Sequence, residues 1–148
     1  MSMVELPVKI ILDTSIYIPF INEGVTFPKF NLKFSRAVTY MSAVVIEELY
    51  AGVFDRKSVT LMDRMYKTFD NLGRLIAPNE SDWQKAGRIV AKMGKKYGFE
   101  KLFLARVTHD ILIALSARRI GAILATHNIK DFIKIKEFLD FKLYYGMI

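Results

Sequence analysis

The sequence predicts an α/β fold, a three-layer α/β/α sandwich around a mainly parallel central sheet. The first of three observations behind this is a pair of short, mainly apolar runs, VKIIL (8–12), apolar but for Lys9, and AILAT (122–126), apolar up to its closing threonine, both carrying β-branched side chains. Such runs suit strands covered on both faces, as in a parallel sheet. The second is that the intervening segments place apolar residues at helical spacing, as in Leu61, Met62, Met65, Tyr66, Phe69 and Leu72. The third is that strand-like and helix-like segments alternate along the whole chain. A length of 148 residues suits a single domain over 1–148, and no linker, repeat or low-complexity stretch divides it.

The elements follow in order. Residues 8–12 form the first strand. Residues 14–24, TSIYIPFINEG, read as a short helix, with Pro19 limiting where it can begin. Residues 25–36 carry Phe and Lys in near alternation and fit no single element. A second strand is expected over 36–42, and a helix over 43–52 that ends at a glycine. A helix over 58–73 leads to a short strand at 74–78. The helix over 79–98 opens on the capping residues NESD and closes on lysines, as the helix dipole prefers. The segment 108–121, THDILIALSARRIG, predicts a helix whose apolar centre is buried and whose end carries Arg118, Arg119 and Gly121. A strand at 122–126, a helix at 127–140 and a strand at 141–146 complete the chain.

Composition narrows the function. The chain has no cysteine, which excludes a disulfide framework, thiol catalysis and cysteine-ligated zinc. No stretch approaches the roughly 18 apolar residues of a membrane helix, and the first residues lack the build of a signal peptide. A cytoplasmic location is the expectation. The formal net charge is +7 and the isoelectric point about 9.6, a balance that favours polyanions, nucleic acid first, as partners.

Against that basic background, acidic residues fall at telling places. Asp13 ends the first strand, Glu48 lies early in the helix after the second, Asp110 lies at the start of the ILIALSA helix, and Asp131 follows the AILAT strand. In parallel α/β sheets ligands bind beyond the carboxyl ends of the strands, so these positions could converge on one pocket. Clustered carboxylates repel, and burying them is costly without a positive partner. A hard divalent ion such as Mg²⁺ or Mn²⁺ is the simplest partner. Each residue also has a plainer use. Asp13 could cap the helix after it, Glu47 and Glu48 could be solvated charges, Asp110 could cap its own helix, and Asp131 could lie on the surface. Only the joint pattern favours a site.

Three segments, IILDTS (10–15), SAVVIEELYAG (42–52) and HDILIALSARRIGAILATHNIKDF (109–132), together resemble the PIN-domain ribonucleases, particularly the VapC-type toxin branch. The resemblance implies a PIN-like fold and an Mg²⁺- or Mn²⁺-dependent endoribonuclease. In it Asp13, Glu48, Asp110 and Asp131 are both the metal-binding and the catalytic carboxylates. Glu48 is chosen over Glu47 because it opens the E-L-x-x-G pattern ending at Gly52. Ser15, Thr126 and Asn128 are supporting polar residues, Thr126 to orient a carboxylate or a water. His109 and His127 stand beside site residues without an assigned role. The resemblance also implies an RNA substrate, a small antitoxin partner and a homodimer. Residues 25–36 and the basic set Lys92, Lys95, Lys96, Lys101 and Arg106 are candidate RNA or partner surfaces. The rival readings are a PIN nuclease that processes ribosomal RNA and a PIN domain that binds RNA without cleaving it.

Overall fold

The structure, a computed structural model, describes residues 7–23 and 36–146. Residues 25–35 of the Phe/Lys-rich segment lie outside the described residues. The elements run β1 (Lys9–Leu12), α1 (Thr14–Glu23), β2 (Val38–Ser42), α2 (Ala43–Ala51), α3 (Arg56–Asn71), β3 (Leu75–Ile76), α4 (Glu80–Tyr97), α5 (Lys101–Arg119), β4 (Ile123–Ala125), α6 (Ile129–Lys136) and β5 (Lys142–Tyr144).

The strands form one sheet in the order β3-β2-β1-β4-β5, and every pairing is parallel. Ile11 sits beside Tyr40 on one side and Leu124 on the other. From β1 the chain steps outward through β2 to β3, then returns across the sheet to place β4 against the free side of β1. Right-handed crossovers put the helices of these two directions on opposite faces. The contacts agree: α1, α2 and α3 pack on one another, and α4 packs on α5, which packs on α6. The result is the expected three-layer sandwich. Its core is continuous through the sheet, with Ile10, Ile11 and Leu12 of β1 wholly buried. A strand covered on both faces has no reason to alternate, which accounts for the unbroken apolar run Ile10, Ile11, Leu12.

Local signals set several boundaries. Asn79 and Asp82 form a reciprocal capping box at the start of α4. Gly121, at φ +69°, makes the left-handed turn between α5 and β4, a conformation that other residues adopt at a cost. Two boundaries differ from expectation. Helix α5 begins at Lys101, not at 108, because the Glu100 carboxylate caps it by accepting from the Leu102 and Phe103 amides at 3.0 and 2.7 Å. Thr108, where the sequence reading begins this helix, turns its hydroxyl back to the Leu104 carbonyl at 2.7 Å. Helix α6 is shorter than 127–140: its last turn gives way to tight bonds from the Glu137 and Phe138 amides to Lys134 and Ile135 carbonyls. Pro19 is carried inside α1, which starts at Thr14 all the same.

Candidate active site at the carboxyl edge of the sheet

The chain reverses its direction of travel across the sheet between β1 and β4, and the crevice beyond their carboxyl ends is the position where such sheets bind ligands. Asp13 follows β1 directly. Its amide donates to the Ala125 carbonyl at 3.0 Å, which pins the residue to the end of β4. Its side chain is buried, and both oxygens are engaged. Oδ1 accepts from the Ser15 amide at 2.9 Å and from the Ser15 hydroxyl, while Oδ2 accepts from the Thr126 hydroxyl at 2.7 Å. The Ser15 and Thr126 hydroxyls in turn accept from the His127 and Asn128 amides at 3.0 and 2.9 Å. Two short segments, 13–15 and 125–128, are thereby tied around one carboxylate. Burial raises the Asp13 pKa, and the donors from Ser15 and Thr126 work against that rise.

Glu48 projects from α2, which reaches α5 at this edge of the sheet. Its Oε1 accepts from the Thr14 hydroxyl at 3.0 Å, and its Oε2 lies 3.7 Å from His109 Nδ1. Burial raises its pKa, with the Thr14 bond and His109 opposing and the charges of Asp13 and Glu47 adding. Glu47, one position earlier, is exposed. The two neighbours point about 100° apart on a helix, and only Glu48 faces the other acids. One flank of Glu48 lines a cavity of about 190 Å³ between α1 and α2, with Ile18, Ile21 and Leu49.

Asp110 corrects the sequence reading in one respect. It lies in the middle of α5, a helix that Glu100 caps, so it cannot be an N-cap. It is half-buried, and among the described residues nothing donates a hydrogen bond to its carboxyl. Its pKa is pushed up to about 8 by burial first, then by the negative charges of Asp13, Glu48 and Asp131, with Arg106 opposing. Asp110 therefore senses three other acids, one from the end of β1 and two from the helices α2 and α6.

Asp131, in the first turn of α6, is buried rather than a surface charge. Its Oδ2 accepts from Arg106 Nε at 2.6 Å. Asn128 is exposed at the N-cap position of α6 and makes no capping bond with its side chain. Two participants escaped the sequence reading. Thr14 was visible only as part of the D-T-S run, and Arg106 was grouped with the basic surface, although its spacing of four residues from Asp110 placed both on one helix face. Lys96, from the same basic set, pairs with Glu137 at 2.9 Å.

Among the described residues no three Asp, Glu or His side chains form a ready-made metal cluster. The donor chemistry nevertheless fits a hard divalent cation: oxygen ligands only, mutually repelling, and one carboxyl to which none of the described residues donates a hydrogen bond.

No family model matches the chain, and no curated protein matches it. Solved structures do. The chain is similar to one in the structure of VapBC2 from Rickettsia felis bound to a DNA fragment from their promoter, at 21% identity and a TM-score of 0.63, covering 95% of this chain and 100% of that one. It is similar to one in the DNA-bound VapBC from Salmonella typhimurium, at 21% identity and a TM-score of 0.64, covering 93% and 98%. A member of the VapBC family of toxin–antitoxin systems, VapBC-5 from Mycobacterium tuberculosis, matches at 12% identity and a TM-score of 0.58, covering 95% and 100%. At these identities the likeness is one of fold, and the fold is PIN-like. Among the described residues no helix is long and apolar enough to cross a membrane.

Proposed function

We propose that the chain is a metal-dependent endoribonuclease that hydrolyses RNA phosphodiesters and acts as the toxin of a toxin–antitoxin pair. The observation that carries this reading is Asp110. A half-buried carboxyl with three acidic neighbours and no donor of its own is an unfavourable arrangement unless a cation completes it. The basic surround favours a polyanion as the substrate: setting the four acids aside leaves 22 Lys and Arg against 11 Asp and Glu. The fold likeness to chains of VapBC structures supports the toxin role.

Asp13, Glu48 and Asp110 are the residues that would hold Mg²⁺ or Mn²⁺, with Asp131 as the fourth acid of the set. The bound ion supplies Lewis-acid activation of a water nucleophile and compensates charge on the phosphate. The chain's own groups prepare the site. Ser15 and Thr126 hold the Asp13 carboxylate in one orientation, Thr14 does the same for Glu48, and burial keeps bulk water from screening the acids. His109 Nδ1 stands 3.7 Å from Glu48 Oε2, on the far side of that carboxylate from Thr14's bond to Oε1. A small antitoxin covering this edge of the sheet and a homodimer complete the assembly, and the cytoplasm is its compartment.

The test is cleavage of single-stranded RNA by the purified protein. Cleavage is expected with Mg²⁺ or Mn²⁺ and absent in EDTA; undiminished activity in EDTA would sink the metal mechanism. RNA binding is expected to weaken steeply with salt as neutralised phosphates release counterions. The toxin role is tested by expression alone and together with the product of the adjacent gene. Growth arrest that the second protein relieves supports it, and normal growth in both cases rejects it.

A further inference from the structure

Arg106 lies one helical turn before Asp110 on α5, so the two side chains leave the same face of the helix. Its side chain is 55% exposed, whereas the Asp131 side chain it meets is only 5% exposed. The bond between them uses Nε of the guanidinium, at 2.6 Å. The Phe103 ring, one turn earlier on α5, lies with its centre 5.6 Å from the guanidinium carbon. Asp131 and Phe103 together fix the plane of the fork from its inner side. Among the described residues nothing accepts from the two terminal nitrogens. A planar fork held at Nε and open at both ends matches the paired oxygens of a phosphate, a geometry lysine cannot offer. Lys134 Nζ lies 5.4 Å from the centre of the same Phe103 ring and adds a second cation at this margin.

We propose that Arg106 binds a phosphate of the RNA substrate at the rim of the carboxylate site, and that Asp131 is its positioning residue rather than a ligand of the metal ion. The inference rests on the nuclease reading above. It divides the four acids into two jobs. Among the described residues no arginine bonds to Asp13, Glu48 or Asp110, and Arg106 only opposes the charge on Asp110 from a distance, so these three would need a cation. Asp131 already has one, and its buried carboxylate serves to aim that cation outward.

The experiment uses the full chain and measures three things separately: Mn²⁺ affinity by electron paramagnetic resonance, RNA cleavage, and the salt dependence of RNA binding. Arg106→Ala is expected to lower kcat/KM by about 10- to 100-fold, to reduce the logarithmic salt slope by about 0.7, and to leave Mn²⁺ affinity unchanged. Arg106→Lys is expected to recover little, since the fork is lost although the charge is kept. Asp131→Asn is expected to reproduce the Arg106→Ala loss with Mn²⁺ affinity intact, and the double variant to be no worse than either single one. Arg106 is exposed, so its variants fold even if Asp131→Asn proves unstable. A tenfold loss of Mn²⁺ affinity in Asp131→Asn would make Asp131 a metal ligand and overturn the proposal. So would an unchanged kcat/KM and salt slope in Arg106→Ala. The wild type separates this failure from the broader one: if it neither binds Mn²⁺ nor cleaves RNA, the nuclease reading falls and this inference with it.

Discussion

Thr126 donates its hydroxyl to Asp13 Oδ2 at 2.7 Å across the seam between β4 and β1, and both residues are buried. The bond joins the two strand ends between which the chain changes direction, so it holds the crevice together and fixes the orientation of its first carboxylate. Thr126→Val preserves the shape but removes the donor. A buried acceptor deprived of one partner costs about 1–3 kcal/mol, so the variant is expected to melt several degrees lower. Because the Thr126 bond also lowers the Asp13 pKa, its loss is expected to move the onset of Mg²⁺ stabilisation to higher pH. Thr126→Ser is expected to restore both. Melting scans over pH with and without Mg²⁺ check this; equal melting of the Val variant and the wild type would show that the bond contributes nothing.

The acidic set also makes a prediction about pH. Asp110 titrates at about 8 in the folded chain against an ordinary value of 3.8. Between those values the folded state holds a proton that the unfolded state has released. Its contribution to stability is therefore complete below about pH 4 and is lost as pH rises to 8. Burial shifts Asp13 and Glu48 in the same direction. In EDTA the melting temperature is expected to fall from pH 5 to pH 8.5, and Asp110→Asn is expected to flatten the decline. Mg²⁺ is expected to bind the ionised carboxylates and so to restore stability most at the alkaline end. Stability that rises with pH in EDTA would show that the acids are not crowded.

The neighbouring glutamates offer a control within a single helix turn. Glu48 faces Thr14 and His109, whereas Glu47 is exposed. Glu48→Gln is expected to abolish metal-dependent cleavage and to shrink the Mg²⁺ melting shift. Glu47→Gln is expected to leave cleavage within about threefold of wild type, as for a surface substitution away from the machinery. Comparable losses in the two variants would mean that the site draws on α2 in another way.

How far the sequence revealed this arrangement depended on the range of the interaction. The buried strands were legible because a strand covered on both faces is apolar where it is buried, as Ile10, Ile11 and Leu12 are. The position of Asp13 and Glu48 at the sheet edge followed from those strands. The start of α5 was not legible, because two residues compete as its cap. Thr108 has the expected residue type, but Glu100 has two oxygens within reach of the first amides. The seven residues so added carry Phe103 and Arg106 onto the helix, and with them the pairing to Asp131. That pairing spans 25 positions and leaves no local trace. Arg106 therefore reads as one more basic residue until α5 and α6 are placed side by side.

Asp13 serves two roles, and two substitutions separate them. Its Oδ1 accepts from the Ser15 amide in the first turn of α1, which is helix capping. It also belongs to the group of acids whose charges raise the Asp110 pKa. Asp13→Asn keeps a carbonyl oxygen for the Ser15 amide and removes the charge. The new amide can donate to Thr126, whose hydroxyl can turn toward the Asn128 carbonyl 3.3 Å away. Asp13→Ala removes the charge and the cap together, at a capping cost of about 0.5–2 kcal/mol, and leaves the Ser15 and Thr126 hydroxyls only the longer bonds to each other and to the Asn128 carbonyl. In EDTA at pH 8, where the acids repel most, the Asn variant is expected to melt at or above the wild-type temperature and the Ala variant below it. In Mg²⁺ both are expected to lose most of the shift that the wild type shows, because a ligand stabilises only through the folded state it binds. If the Asn variant melts as low as the Ala variant, charge crowding is not what burdens the metal-free fold. If the Mg²⁺ shift survives in both, Asp13 is a capping residue and the ion, if one binds, is held by other groups.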